Sequence, residues 1–353
     1  MRETLRLKVD AAAPVGPEFE AAMVRAAAIL RAGGTVAFPT ETVYGLGANA
    51  LDAAAVGRIF EAKQRPSWDP LIVHVAGPEM LECVAKGLSE NARRLAEAFW
   101  PGPMTLLLPK RDAVPGVVTA GRPLVGVRMP AHPLALALIR AAGVPVAAPS
   151  ANRFGHTSPT RAEHVAADLD GRIDVILDGG ETAHGLESTV VDPREDGCVI
   201  YRPGVITAEQ VREACRGTVE NFVPADGARK PEGLPSPGVG IRHYAPQARM
   251  VLVCGGGAEQ VEAFRRTVLE AVAAGDQVGA MVPDRFAAAV RGSGAKVFDW
   301  GRWEVPEELG QRLYGAMRAL DAEGVKVIVC PLPADEGVGR AICDRLRKSA
   351  RTE

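Results

Sequence analysis

The chain has 353 residues, 47% of them apolar and 24% charged, with a formal net charge of −2. That length supports two domains with cores of their own, and the balance is that of an ordinary globular protein. The near-neutral charge excludes a surface built wholesale for nucleic acid and leaves only weak, local RNA contact, while no stretch reaches the roughly 18 apolar residues of a membrane span.

Apolar residues at helical spacing (Phe19, Met23, Ala27, Leu30) predict a helix over 18–32, stopped by Gly33 and Gly34. An apolar run over 35–38 predicts a strand ending at Pro39. A polar loop follows with Thr40, Glu41, Thr42 and Tyr44, closed by Gly45-Leu46-Gly47. A strand leading into a hydroxyl-rich, glycine-bracketed loop is a common seat for a small ligand. Asp52 is placed to cap a helix over 52–63, with Val56, Ile59 and Phe60 on its apolar face and Pro66 blocking continuation. Lys63 and Arg65 stand at its C-terminal end. Cations there complement the helix dipole, and two cations before a rigid proline also form a fixed positive corner suited to phosphate; both readings stand. The strand over 71–75 alternates, with His74 opposite Leu71, Val73 and Val75.

Helices are predicted over 79–85 and 89–99, the second capped by Ser89, and a strand over 104–108. Arg128 closes the strand 126–130 just before Pro130. After a helix at 133–141, the strand 144–148 runs into Pro149-Ser150-Ala151-Asn152. Ser150 and Asn152 are two apart, so in extended backbone both side chains face one way, although Ser and Asn also favour turns for their own sake. Ser158 adds another hydroxyl. Strands at 173–177 and through Ser188 to Asp192 follow, and the segment Val199-Ile200-Tyr201-Arg202-Pro203-Gly204 completes this half. From Gly217 to Pro246 prolines and glycines predict an irregular linker, which nevertheless holds Arg242, His243 and Tyr244 in succession. Residues 249–353 repeat an α/β rhythm that predicts a small parallel sheet. Its glycine clusters complete neither G-x-G-x-x-G nor a Walker A segment, so tight turns explain them. The cysteines (Cys83, Cys198, Cys215, Cys254, Cys330, Cys343) form no CxxC pair and have no histidine at zinc spacing; they read as buried thiols of a reducing compartment. With no leader-like N-terminus, the expected location is cytoplasmic.

The segments FPTETVYGLGANA, KQRP and LIVHV, then VRMP, SAN, GLESTVVD and RPG, stand in an order that closely resembles the YrdC/Sua5 family, the threonylcarbamoyl-AMP synthases, in its two-domain Sua5 form. The resemblance implies a YrdC-like α/β domain with a twisted mixed sheet over 1–216, a linker over 217–247 covering the active site, and a smaller Rossmann-like domain over 248–353. It implies condensation of L-threonine, bicarbonate and ATP to threonylcarbamoyl-AMP and pyrophosphate, a nucleotidyl transfer. The product would serve a downstream tRNA threonylcarbamoyl transferase that modifies adenosine 37 of tRNAs reading ANN codons. Lys63, Arg65, Asp69, Ser150, Asn152, Ser158, Arg202 and His243 or Tyr244 would hold ATP, with Lys63 and Arg65 positioning its phosphates. Thr42, His74, Arg128, Ser188 and the backbone at Ala148 would hold threonine. Asp69 stands where family members often carry Asn, and an acid facing phosphate would repel it. Mg2+ is expected to arrive on ATP, with no protein metal site, no tightly bound organic cofactor and no covalent nucleophile. Two other classes compete: an RNA-binding module, disfavoured by charge and by 5% aromatic residues, and a carbamoyl-transfer enzyme of the hydrogenase-maturation kind, whose cysteine-rich segments this chain lacks.

Overall fold

The structure, a computed structural model, describes residues 3–223, 236 and 244–350. In chain order its elements are β1 (Leu5–Lys8), α1 (Pro17–Arg31), β2 (Val36–Phe38), β3 (Gly45–Asn49), α2 (Ala53–Lys63), β4 (Ile72–His74), α3 (Pro78–Val84), α4 (Glu90–Phe99), β5 (Met104–Pro109), α5 (Gly116–Thr119), β6 (Leu124–Arg128), α6 (Pro133–Ala142), β7 (Val146–Ala147), α7 (Ala162–Leu169), β8 (Val175–Asp178), β9 (Thr189–Pro193), β10 (Gly197–Arg202), α8 (Ala208–Ala214) and β11 (Thr218–Asn221). Then come β12 (Arg249–Val253), α9 (Gly257–Ala273), β13 (Val278–Pro283), a short 3-10 helix (Asp284–Val290), β14 (Lys296–Gly301), α10 (Pro306–Ala322), β15 (Val327–Pro331) and α11 (Gly337–Ser349). The chain divides into two compact units. The first holds most of residues 1–240; the second holds 241–353 together with the short stretches 155–158 and 184–186.

The first unit is built on an 11-stranded mixed sheet in the order β1-β8-β2-β3-β7-β4-β6-β5-β9-β10-β11. Alternation along its strands gives it two cores. Val36 and Phe38 face one with Leu30, Leu138 and Ile139 of the helices, and Ala37 faces the other with Ile59 and Leu95. Helix α2 begins as the sequence predicts, the Asp52 carboxylate accepting from the Ala54 and Ala55 N–H groups at 2.9 and 3.2 Å. It ends on Gln64, whose left-handed backbone (φ 53°) reverses the chain between Lys63 and Arg65.

Two expectations are corrected: Cys83 and Cys254 are exposed although the thiols read as buried, and regular structure enters the stretch from Gly217. The polar loop from Thr40 to Tyr44 stands as expected, and the Gly45-Leu46-Gly47 that closes it opens strand β3, paired with β2 and β7. Its glycine is there for lack of room: a Cβ on Gly47 would lie 2.7 Å from Phe38 and 2.8 Å from Val146. The stretch read as irregular from Gly217 starts with β11, which lies parallel to β10 because its first proline comes only at residue 224.

The second unit is a parallel sheet in the order β12-β15-β13-β14 around Val253, Phe264, Val268, Phe286 and Val329, as the α/β rhythm predicts. Among the described residues no helix is long and apolar enough to cross a membrane.

Candidate active site

The sheet of the first unit places three of the predicted residues at the ends of adjacent strands. His74 and Arg128 are register partners at the last positions of β4 and β6, and on the other side of β4 the Ala148 N–H bonds to the Ile72 carbonyl at 2.9 Å. Thr42 comes to the same place from the loop after β2, its hydroxyl accepting from Arg128 Nη1 at 2.9 Å. The guanidinium also donates from Nε to the Gly102 carbonyl at 3.2 Å, and its Nη2 lies 2.7 Å from the Glu41 carboxylate. Thr42, His74, Arg128 and Ala148 therefore converge.

His74 is 3% exposed, with the edge of its ring toward Phe38. Burial, with the charge of Arg128 added, pushes its pKa down to about 3. The imidazole is thus neutral in ordinary buffers, and its Nδ1 has no hydrogen-bond partner among the described residues. Because the folded pKa lies below the ordinary value near 6.5, the stabilisation is complete above that pH and is lost as pH falls toward 3. Melting temperature should decline over that window more steeply in the unaltered chain than in His74→Asn, and equal slopes would show that His74 is not the buried group responsible.

A second cluster forms where α2 meets the segment after β7. The Tyr44 and Pro149 carbonyls bond to the N–H groups of Ala151 and Leu46 at 2.8 Å, zipping the two motifs together. Lys63 Nζ, 1% exposed as a residue, donates to the main-chain carbonyls of Ser150 and Asn152. Burial, with Arg65 nearby, lowers its pKa well below that of an ordinary lysine. Arg65 donates to the carbonyls of Asp69 and Pro70 at 3.1 and 2.8 Å, pairs with the Asp69 carboxylate at 2.9 Å, and lies over the Phe154 ring. Asp69 is wholly buried and turned to Arg65, which answers the repulsion that an acid at this position raises. The Asn152 amide donates to the Arg153 carbonyl at 2.7 Å.

Arg202 joins Ser188. Its Nε and Nη2 reach the Ser188 carbonyl at 3.1 and 3.0 Å, Nη2 also reaches the hydroxyl at 3.1 Å, and that hydroxyl lies 2.8 Å from Thr105. The sequence assigned these two residues to different ligands; their contact puts the two assignments side by side. Ser158 and Tyr244 belong to the second unit. There Tyr244, at φ 65°, is buried between Tyr314, ring centroids 5.8 Å apart, and Arg345, 5.1 Å above its ring. His243 lies outside the described residues. Glu41, Gly102 and Thr105 were not singled out as site residues, and only Glu41 lay within a motif that could have flagged it.

Residues 28–204 match the Sua5/YciO/YrdC family profile, described as telomere recombination, and residues 206–351 match the threonylcarbamoyl-AMP synthase C-terminal domain. The chain belongs to the Sua5/YciO/YrdC family. Among its relatives, the threonylcarbamoyl-AMP synthase of Pyrococcus abyssi is 46% identical over 329 residues, 92% of this chain and 93% of its own. That of Bacillus subtilis is 47% identical over 330 residues, 93% of this chain and 92% of its own. A crystal structure of P. abyssi Sua5 complexed with L-threonine matches at a TM-score of 0.86 and 42% identity, covering 98% of this chain and 97% of that one.

Proposed function

We propose that this chain is a threonylcarbamoyl-AMP synthase, a nucleotidyltransferase that condenses L-threonine, bicarbonate and ATP to threonylcarbamoyl-AMP and pyrophosphate. One observation carries the assignment to this site: a buried guanidinium, a neutral imidazole with an open nitrogen and a threonine hydroxyl converge on one spot. An amino acid's carboxylate suits Arg128, and its hydroxyl suits His74 and Thr42.

In this reading Lys63, Arg65, Ser150, Asn152 and Arg202 serve the nucleotide, with Asp69 acting through Arg65, and Ser158, His243 and Tyr244 are further candidates. A P. abyssi Sua5 structure carries alanines in place of an adjacent His-Tyr pair, which is the dipeptide of His243-Tyr244 here. The amine of threonine attacks the carbon of bicarbonate; an N–C bond forms, a C–O bond breaks and water leaves, which gives a carbamate. A carbamate oxygen attacks the α-phosphorus, and pyrophosphate leaves with the bonding electrons. The protein supplies orientation and positive charge rather than a covalent step. Mg2+ would enter on the phosphates, whose oxygens would hold it, while the donors clustered here are cations and hydroxyls suited to the phosphates themselves.

Incubation with ATP and labelled bicarbonate, with and without each amino acid, tests the reading. Pyrophosphate and a labelled adenylate should appear with L-threonine; turnover indifferent to the amino acid would refute it. Lys63 adds a second expectation. A buried amine whose proton affinity is depressed regains it when phosphate arrives, so nucleotide binding should take up protons, and more of them as pH rises above the depressed value. Calorimetric heats of ATP binding in buffers of different ionisation enthalpy read this directly, and Lys63→Met should abolish the uptake.

A further inference from the structure

Glu41 is not used by the reaction as drawn above, yet the residue is 6% exposed and both its carboxylate oxygens are buried. A carboxylate so buried is costly unless it is paired, and its pair is Arg128, Oε1 lying 2.7 Å from Nη2. Burial alone would raise the Glu41 pKa; the charge of Arg128, with the backbone amides of Glu41 and Ala131, outweighs it and holds the carboxyl below the usual range. Glu41 is therefore a fixed anion beside the guanidinium.

The consequence follows from counting N–H groups. Arg has five in a planar fork. In Arg128, Nε–H goes to the Gly102 carbonyl, one N–H of Nη1 goes to Thr42, and Nη2 faces Glu41. The guanidinium is thus held by two hydrogen bonds and by the Glu41 charge beside Nη2, which itself makes no hydrogen bond, leaving one N–H on Nη1 and those of Nη2 for a ligand. The hydroxyls beside it are committed as well. Thr40 spends its proton on the Val43 carbonyl at 2.7 Å, so in the 2.8 Å contact between Thr40 and Thr42 the donor is Thr42. Thr42 therefore offers a ligand a lone pair and not a proton.

We propose that Glu41 is a positioning residue of the amino-acid subsite, its carboxylate holding the Arg128 fork in the orientation that receives the carboxylate of the substrate. This rests on the assignment of that spot to an amino acid. It predicts that losing Glu41 harms recognition of one substrate group, the carboxylate, and spares the rest of the ligand.

The test is binding of L-threonine and of L-threoninol, which keeps the amine and hydroxyl but lacks the carboxylate. Both are measured by ligand-observed NMR, which reads millimolar affinities, on the full chain, on Glu41→Gln and on Glu41→Asp. In Glu41→Gln the dissociation constant of L-threonine should rise about tenfold or more, that of L-threoninol should stay within about twofold, and the ratio of the two should shrink accordingly. Glu41→Asp, charged but one methylene shorter, should restore part of the ratio; if the Gln variant does not fold, a ratio lowered in the Asp variant carries the same expectation. Equal weakening of both ligands would overturn the proposal, because a merely structural loss or a contact with the substrate amine behaves that way. So would an unchanged L-threonine affinity, and so would a tighter one, which would mean that Glu41 occupies the place of the substrate carboxylate. If the unaltered chain fails to bind L-threonine at all, the amino-acid assignment falls and this inference with it, a result distinct from equal binding by the Glu41 variants.

Discussion

Arg65→Ala is expected to lower pyrophosphate release at least about 100-fold and to destabilise the fold at the same time. From sequence alone this substitution looks harmless to the fold, since a cation that complements the helix dipole or meets phosphate has no buried partner in view. The structure gives it a buried partner: Asp69 is 0% exposed and lies 2.9 Å from Arg65 Nη2. Removing one member of such a pair leaves the other charge to bear its desolvation, at a cost of roughly 3–5 kcal/mol. Activity loss in the single variant would therefore not separate chemistry from folding. The double change Arg65→Met with Asp69→Leu does, because replacing a buried pair with apolar residues of similar volume is often neutral for stability. Urea unfolding should show the double variant close to the parent and the single variant well below it, with neither releasing pyrophosphate. Turnover near the parental rate in the stable double variant would remove Arg65 from the site. Unchanged stability in Arg65→Ala would mean that Lys63, whose charge Asp69 also favours, takes over as partner.

Much of this was legible in the residues because the determinants are local. Asp52 caps α2 through donors two and three residues on, Ser89 caps α4 in the same way, and the alternation over 71–75 put His74 on the face away from Val73 and Val75. Helix α8 is not among the predicted elements, yet Thr207 and Gln210 form a reciprocal cap whose letters stand in the sequence. Strand β3 was missed for a different reason. Glycine in a strand looks like a turn until the neighbours that forbid a side chain are known, and Phe38 and Val146 are 9 and 99 residues away from Gly47. The site divides along the same line. Clustered motif letters pointed to Lys63, Arg65, Ser150 and Asn152. That Asp69 answers Arg65 and Glu41 answers Arg128 depends on side-chain direction in one case and on a contact across the sheet in the other, and neither is written in spacing.

Arg202→Ala is expected to reduce kcat by about 100- to 1,000-fold, the loss typical when a donor aimed at developing charge is removed, with a much smaller effect on the KM for threonine. The argument starts from how the side chain is held. Arg202 sits where the pairing of β9 and β10 shifts register, and it spends Nε and one terminal nitrogen on Ser188. Among the described residues its other terminal nitrogen, Nη1, makes no hydrogen bond, so one end of the fork is anchored and the other is open. Ser188 is anchored in turn by Thr105 at 2.8 Å. In the proposed reaction the carbamate oxygen and the α-phosphorus must meet between the amino-acid residues and the nucleotide residues, and the contact of Ser188 with Arg202 is where those two sets touch. A cation fixed there stabilises charge that builds on the phosphoryl oxygens as the bond forms, which lowers the barrier more than it tightens either ground state. Arg202→Lys should recover only part of the rate, because a lysine keeps the charge but cannot hold Ser188 with two nitrogens and present a third. A raised KM for ATP with unchanged kcat would assign Arg202 to uniform nucleotide binding instead, and the meeting point of the two substrates would have to be sought at another residue.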